Sequence, residues 1–219
     1  MPSKERNECI KNSVNELLPS IIHGYDPLGI PDLDPYSVGI ERFSVGEGIL
    51  SVKILIEDSK TLGISTANVT NVKSKITKDN FGVILDVDFS KMTAEGNYKG
   101  DTRVNDFSFK SKGFFTLNIF KPKFKLKFLG KIKPTNGQNF VDIHTIKIMD
   151  TQVEDLNVDF TGLVAEPVVN QFALEFINQN WRNFYQQLVP RAVVSWEPIY
   201  LSVAKKFFDN IPLDELMPE

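Results

Sequence analysis

The chain has 219 residues, 42% of them apolar and 24% charged, a balance that suits a folded soluble protein and excludes a disordered one. Its formal charge of -3 provides no basic field for a polyanion, which argues against non-specific nucleic-acid binding. No apolar run reaches the roughly 18 residues of a spanning helix, so no stable membrane insertion is expected.

The aromatic choice is unusual, with 17 Phe against 2 Trp and 5 Tyr. Phe brings large apolar area without a polar atom that needs a partner. The opening Met1-Pro2-Ser3-Lys4-Glu5-Arg6 is polar and lacks the apolar stretch of a signal peptide, leaving either a cytosolic protein or a processed form with an added Met. The glycosylation sequon Asn68-Val69-Thr70 and the odd thiol of Cys9 favour the processed, secreted form.

Along the chain, Ile10, Val14, Leu17 and Leu18 form one apolar stripe and predict a helix from Asn7 to Leu18, ended by Pro19. Gly24, Pro27, Gly29, Pro31, Asp34 and Pro35 make residues 24–37 a non-helical connection. From Val38 to Leu163 the period changes to two. Leu50, Val52, Ile54 and Ile56 share one face, as do Val83, Leu85, Val87 and Phe89 opposite Asp86 and Asp88. Over 120–128, Phe120, Pro122, Phe124, Leu126 and Phe128 alternate with Lys121, Lys123, Lys125 and Lys127, the mark of one half-buried strand. Further strands are predicted at 38–46, 62–76, 95–109, 113–119, 140–149 and 153–162, with a hairpin turn at Asn136-Gly137. Consecutive strands without helices between them indicate an antiparallel meander.

After Glu166-Pro167 the period returns to 3.6, with Phe172, Phe176, Trp181, Phe184 and Leu188 near one stripe that Leu174 and Ile177 widen. The spacing predicts a helix over 167–189, about 35 Å long, which Pro190 kinks or breaks before a second amphipathic stretch at 191–209. The expected class is α+β. A long sheet with one apolar face and a long apolar helix bury both surfaces when the sheet wraps round the helix.

The motifs of chemistry are sparse. His23 and His144 are the two histidines, and no nucleophile elbow, metal-spaced His/Cys cluster or phosphate loop is present, so neither an enzyme, a metal nor a cofactor is expected. The lysines at 121, 123, 125 and 127 read as one solvated face that guards against edge pairing. Tyr25, Tyr98, Tyr185, Tyr200 and the Trp181 indole are all candidates to orient a polar ligand group, and the sequence does not choose among them.

Several segments resemble the insect takeout and juvenile-hormone-binding protein family. Gly29-Ile30-Pro31-Asp32-Leu33-Asp34-Pro35 is similar to the signature after that family's first helix, and Phe176-Ile177-Asn178-Gln179-Asn180-Trp181 to a run on its long helix. Leu62-Gly63-Ile64-Ser65, Gly96-Asn97-Tyr98-Lys99-Gly100, Leu188-Val189-Pro190 and Ile211-Pro212-Leu213-Asp214-Glu215-Leu216-Met217-Pro218 resemble shorter family signatures, collinear from Cys9 to Pro218. Gly113-Phe114-Phe115-Thr116 departs from the glycine-rich pattern expected there.

The resemblance implies one carrier domain over residues 1–219, secreted into haemolymph or chemosensory tissue. It implies a long C-terminal helix wrapped by a strongly curved antiparallel sheet, a short N-terminal helix and an internal apolar tunnel. The ligand would be a small elongated hydrophobic molecule such as a terpenoid hormone, a fatty acid or an isoprenoid-like lipid. The inward faces then nominate Ile54, Leu85, Val87, Phe115, Leu117, Phe124, Leu126, Phe128, Phe176, Trp181 and Phe184 as tunnel lining, with Asn68 as a glycan site. The family usually pairs two N-terminal cysteines. Cys9 resembles the second, and its partner is absent from this chain. A monomer is expected, with no receptor specified. The alternative reading is an innate-immune module that recognises microbial lipid or membrane surfaces.

Overall fold

A computed structural model describes residues 3–45 and 50–216. Gly46, which ends the predicted strand 38–46, and the Met217-Pro218 end of the C-terminal motif lie outside the described residues. Among the described residues the chain forms a helix α1 (Ser3–Ile21), nine strands, then helices α2 (Pro167–Gln179), α3 (Trp181–Phe208) and α4 (Leu213–Leu216). The strands are β1 (Tyr36–Val45), β2 (Leu50–Leu62), β3 (Asn68–Ile76), β4 (Asn80–Asp88), β5 (Lys91–Val104), β6 (Phe107–Phe120), β7 (Lys123–Thr135), β8 (Gln138–Gln152) and β9 (Asp155–Phe160).

They form a five-stranded sheet in the order β1-β2-β5-β6-β9 and a four-stranded sheet in the order β3-β4-β7-β8, with every pairing antiparallel. The connections β4 to β5, β6 to β7 and β8 to β9 span only two residues each, so each pair is one long strand bent from one sheet into the other. The bends lie side by side along a seam. The Phe89 N–H donates to the Pro122 carbonyl at 2.9 Å, Lys121 to Ser90 at 3.1 Å, and Glu154 to Phe120 at 3.0 Å. Gly63 sits on this seam at φ 94, where a Cβ would lie 2.2 Å from the Lys91 carbonyl oxygen, so the close approach of β2 to β5 requires glycine. The result is a strongly curved sheet that does not close on itself.

Burial is uneven between the halves. The core cluster comprises Val69, Val72, Phe81, Val83, Leu85, Val87 and Phe89 with Val141, Ile143, Ile146 and Leu213. Ile10 and Val14 from α1, and Tyr200, Leu201, Ala204 and Phe208 from α3, pack against it. All its strands belong to the four-stranded sheet, apart from Phe89 on the seam.

The edges of the sheets are closed by side chains from the helices. Asn15 on α1 donates to the Val69 carbonyl at 3.0 Å and accepts from the Val69 N–H at 2.8 Å, taking the place of a neighbouring strand beside β3. Asn178 on α2 does the same for Val158 of β9, at 2.9 and 2.8 Å. Asn7 accepts from the Ser74 N–H, and Asn170 donates to the Phe160 carbonyl, one at each further end. Along β8, the Glu197 carboxylate of α3 accepts from the Ile148 N–H and pairs with Lys147 at 2.6 Å.

Several predicted boundaries are corrected. Helix α1 runs through Pro19, because the proline lies in its last turn and the carbonyl it leaves unbonded is near the helix end. The predicted strand 62–76 is broken by a short 3-10 helix at Ile64–Thr66, and 153–162 shrinks to Asp155–Phe160. The strand over 120–128 divides at Lys121, which has φ 46, so Phe120 belongs to one sheet and Phe124, Leu126 and Phe128 to the other. The predicted strand 95–109 spans a hairpin, since β5 ends at Val104 and β6 begins at Phe107. The C-terminal helix breaks at Asn180 and continues through Pro190 and Pro198. The Asn180 side chain donates to the Phe176 carbonyl at 2.9 Å and so caps the first segment. The Asn136-Gly137 turn stands, with φ 52 and φ 82.

Replacing Asn178 with Ala leaves both Val158 backbone groups unpaired at a sheet edge. Urea denaturation of Asn178→Ala is expected to show a loss of about 1–3 kcal/mol, against less than about 0.5 kcal/mol for the exposed Gln186→Ala.

Candidate functional site

Residues directly opposite in the register share a face, so the inner surface of the five-stranded sheet can be read row by row. One row is Phe43, Ile54, Gly100 and Ser111, the next Glu41, Ile56, Tyr98 and Gly113. On the β6-β9 side, Phe115 faces Phe160, Leu117 faces Val158, and Ile119 faces Leu156. Tyr98, Phe115 and Val158 are buried, whereas Phe43, Val52, Ile54, Ile56, Leu117 and Ile119 are only half-buried and Phe109, near the β5-β6 hairpin, is 58% exposed. Helix α2 lies along β9, and α3 touches β8, β9 and β1, which leaves the inner face of β2, β5 and β6 with little over it. On α2, which lies along β9, Phe172 and Phe176 are 65% and 60% exposed.

The total accessible surface agrees with this picture. It is 13261 Å², against about 10,000 Å² for a compact chain of this mass. A concave apolar face that is thinly covered at the five-stranded end and packed at the four-stranded end accounts for both observations. Two depressions, of 550 and 680 Å³, lie in the sheets. The first is lined by Phe43, Ile54, Gly100 and Ser111 of the inner row as well as by Arg42, Lys53, Lys99 and Lys112 of the adjoining rows, and the second by Lys73, Lys75 and Lys127 with Phe81 and Val83 of the four-stranded sheet.

The predicted lining residues divide between the two ends. Leu85 and Val87 are buried in the four-stranded core, where Phe124, Leu126 and Phe128 pack against them and Phe124 stacks on Phe89 with centroids 5.1 Å apart. Ile54, Phe115 and Leu117 lie on the inner face of the five-stranded sheet. Phe176 meets the half-buried Phe184 edge-on at 6.3 Å. Trp181 is 6% exposed, with the Tyr185 ring edge-on at 6.1 Å and the Arg182 guanidinium 4.4 Å from its face.

Of the polar candidates, Tyr98 donates to the Thr161 carbonyl at 2.8 Å, and Tyr25 is 45% exposed. Burial raises the Tyr185 phenol above its ordinary pKa, against a hydrogen bond with Thr151. Tyr200 is pushed up to about 12 by burial and then by Tyr36, so it remains a protonated donor. His23 and His144 are exposed. Cys9 is a half-buried free thiol on α1, and Asn68 is exposed at the start of β3. The lysine ladder is paired on its solvated face: Lys121 with Glu154 at 2.8 Å, Lys123 with Asp88 at 2.6 Å, and Lys125 with Asp150.

Sequence reasoning missed Glu41 and Trp196. A regular strand starting at Val38 places Ile40 inward and Glu41 outward. A bulge in β2 at Asp58, which has φ 51, reverses the faces, and β1 follows because its register with β2 is unbroken. Ile40 is accordingly 58% exposed, and Glu41 points inward, with Trp196 of α3 near enough to influence its ionisation.

Two further segments meet at Asp34. Its carboxylate accepts from the Gly63 and Ser65 N–H groups, both at 2.9 Å, and from the Ser65 hydroxyl. This clasp joins Gly29–Pro35 to Leu62–Ser65. A family model described as Haemolymph juvenile hormone binding protein matches residues 2–218.

The chain belongs to this family.

Among solved structures, the crystal structure of Epiphyas postvittana Takeout 1 superposes with a TM-score of 0.83 at 18% identity, covering 95% of this chain and 94% of that one. The likeness is one of fold. A crystal structure of lipopolysaccharide binding protein shares 9% identity over 98% of this chain and 38% of that one, at a TM-score of 0.36 that carries no argument. No curated protein sequence matches. Proteins of the juvenile hormone binding protein family bind small hydrophobic ligands, and among the described residues no helix is long and apolar enough to cross a membrane.

The Asp34 clasp sets a pH limit. Burial pushes this carboxyl up, but the Ser65 and Gly63 hydrogen bonds outweigh burial and hold it below its ordinary value. A depressed folded pKa contributes stability that is present above the unfolded value and lost as pH falls through the folded one. Thermal melts of the unmodified protein are therefore expected to decline below about pH 4. Asp34→Asn is expected to be less stable at neutral pH by about 1–3 kcal/mol and to lose part of that acid sensitivity.

Proposed function

We propose that this member of the juvenile hormone binding protein family is a secreted carrier that holds one small elongated hydrophobic molecule in the channel between the five-stranded sheet and helices α2 and α3. The observation that carries the reading is the inner face of β2, β5 and β6. Apart from the buried Tyr98 and Phe115, apolar side chains there such as Val52, Ile54, Ile56, Leu117 and Ile119 are half-buried with little protein over them, while the other half of the same curved sheet has a filled core. Such a surface is expensive to leave in water, at roughly 25 cal/mol per Å², and a ligand of matching shape removes that cost. Binding of this kind needs no covalent chemistry, and a few polar groups suffice to orient the guest. The family's binding of hydrophobic ligands and the takeout-like fold support the same reading. Recognition of microbial or membrane surfaces through the lysine ladder receives no such support, because Lys121, Lys123 and Lys125 are already paired with carboxylates.

Native mass spectrometry of the purified protein tests the proposal. One apolar adduct per chain is expected, either carried through purification or taken up on titration with long-chain alcohols and isoprenoids. A clean mass with no uptake of either would overturn it. Ile54→Glu places a charge on the half-buried inner face and is expected to weaken uptake by roughly tenfold or more, with the melting temperature little changed.

A further inference from the structure

Glu41 is out of place in an apolar wall. It lies on the inner face of β1 in the row of Ile56 and Tyr98, with Phe43 and Ile54 in the next row. It is half-buried, and among the described residues it has no salt-bridge partner. Desolvation raises its pKa, and the Trp196 indole N–H works against that rise. An unpaired carboxyl in such surroundings is costly unless something hydrogen-bonds to it.

A carboxylate has about four acceptor positions, and one indole N–H fills at most one of them. Trp196 and Tyr200 are four residues apart on α3, so they share a helix face. Tyr200 has Tyr36 of β1 near enough to influence its ionisation. The wall between β1 and α3 thus presents a desolvated acceptor at Glu41 and, one helical turn away, a phenol donor.

Resting on the carrier reading above, we propose that Glu41, beside Trp196 and accompanied by Tyr200, is a head-group site that takes an apolar ligand ending in a hydroxyl and discriminates against one ending in a carboxylate. The ligand hydroxyl donates to the free lone pairs of Glu41. The Tyr200 hydroxyl is the donor to the ligand oxygen. A carboxylate head offers no proton and places a second negative charge beside the first in a poorly solvated site, where repulsion is strong. The chemical class is that of fatty and isoprenoid alcohols.

The test is displacement of the neutral dye N-phenyl-1-naphthylamine by dodecan-1-ol, dodecanoate and dodecane at about pH 8, where the acid is ionised. The unmodified protein is expected to bind the alcohol roughly tenfold or more tightly than the carboxylate. Glu41→Gln is expected to erase most of that ratio. Arg42→Gln, on the outer face next to it, is expected to keep it.

Dodecanoate binding as tightly as the alcohol in the unmodified protein would overturn the head-group site, and this comparison needs no variant to fold. A preference unchanged in Glu41→Gln would overturn it as well. In either case, displacement by dodecane shows that the channel still carries apolar chains and leaves the carrier reading standing. Failure of the dye and all three compounds to bind would remove the carrier reading and the site together. Thermal melts of Glu41→Gln establish that its fold is intact, and Trp196→Phe, which frees Glu41 without removing it, is expected to retain the alcohol preference in direction.

Discussion

A strand at the edge of a sheet presents backbone donors and acceptors that need partners, and a strongly curved open sheet has four such edges once it is bent into two halves. In this protein the helices supply partners at three of them, β3, β9 and β8. Asn15 binds both backbone groups of Val69 on β3, Asn178 binds both of Val158 on β9, and Glu197 reaches the Ile148 N–H on β8. The same contacts hold α1 along β3, α2 along β9 and α3 along β8.

The two halves then use the concave face differently. In the four-stranded half, α1 and the end of α3 reach inward with Ile10, Val14, Leu201 and Phe208, and the face becomes ordinary close-packed core. In the five-stranded half, α2 remains beside β9 with Phe172 and Phe176 exposed, and Ile54 and Ile56 of β2 stay half-buried. One end has the stability of a packed domain, and the other has the thinly covered apolar surface on which the proposed channel rests. The seam between them lies where four strands bend through Gly63, Phe89-Ser90, Lys121-Pro122 and Val153-Glu154.

The segments that mark the family are largely architectural. Asp34 clasps Gly63 and Ser65 across the seam, Asn178 seals an edge, Asn180 caps a helix, and Trp181 is buried under Arg182 and beside Tyr185.

Much of this was determined by the sequence alone. Alternation such as Val83, Leu85, Val87 and Phe89 and the Asn136-Gly137 turn specify inward faces and a hairpin by local geometry, and the strongly periodic helices follow from the same reasoning. The collinear family segments identified the architecture. Tertiary structure decided what local period cannot carry. Whether an inward face meets a helix or a void depends on residues a hundred or more positions away, so Leu85 and Phe124 became core while Ile54 remained half-open. The bend at Lys121 divides a strand of perfect alternation because the chain changes sheets there, and Pro190 continues a helix that Asn180 interrupts. Glu41 shows the limit most clearly. A single left-handed residue, Asp58 on the neighbouring strand, moves it from the water-facing side to the apolar side, and strand period read within β1 contains no trace of that residue.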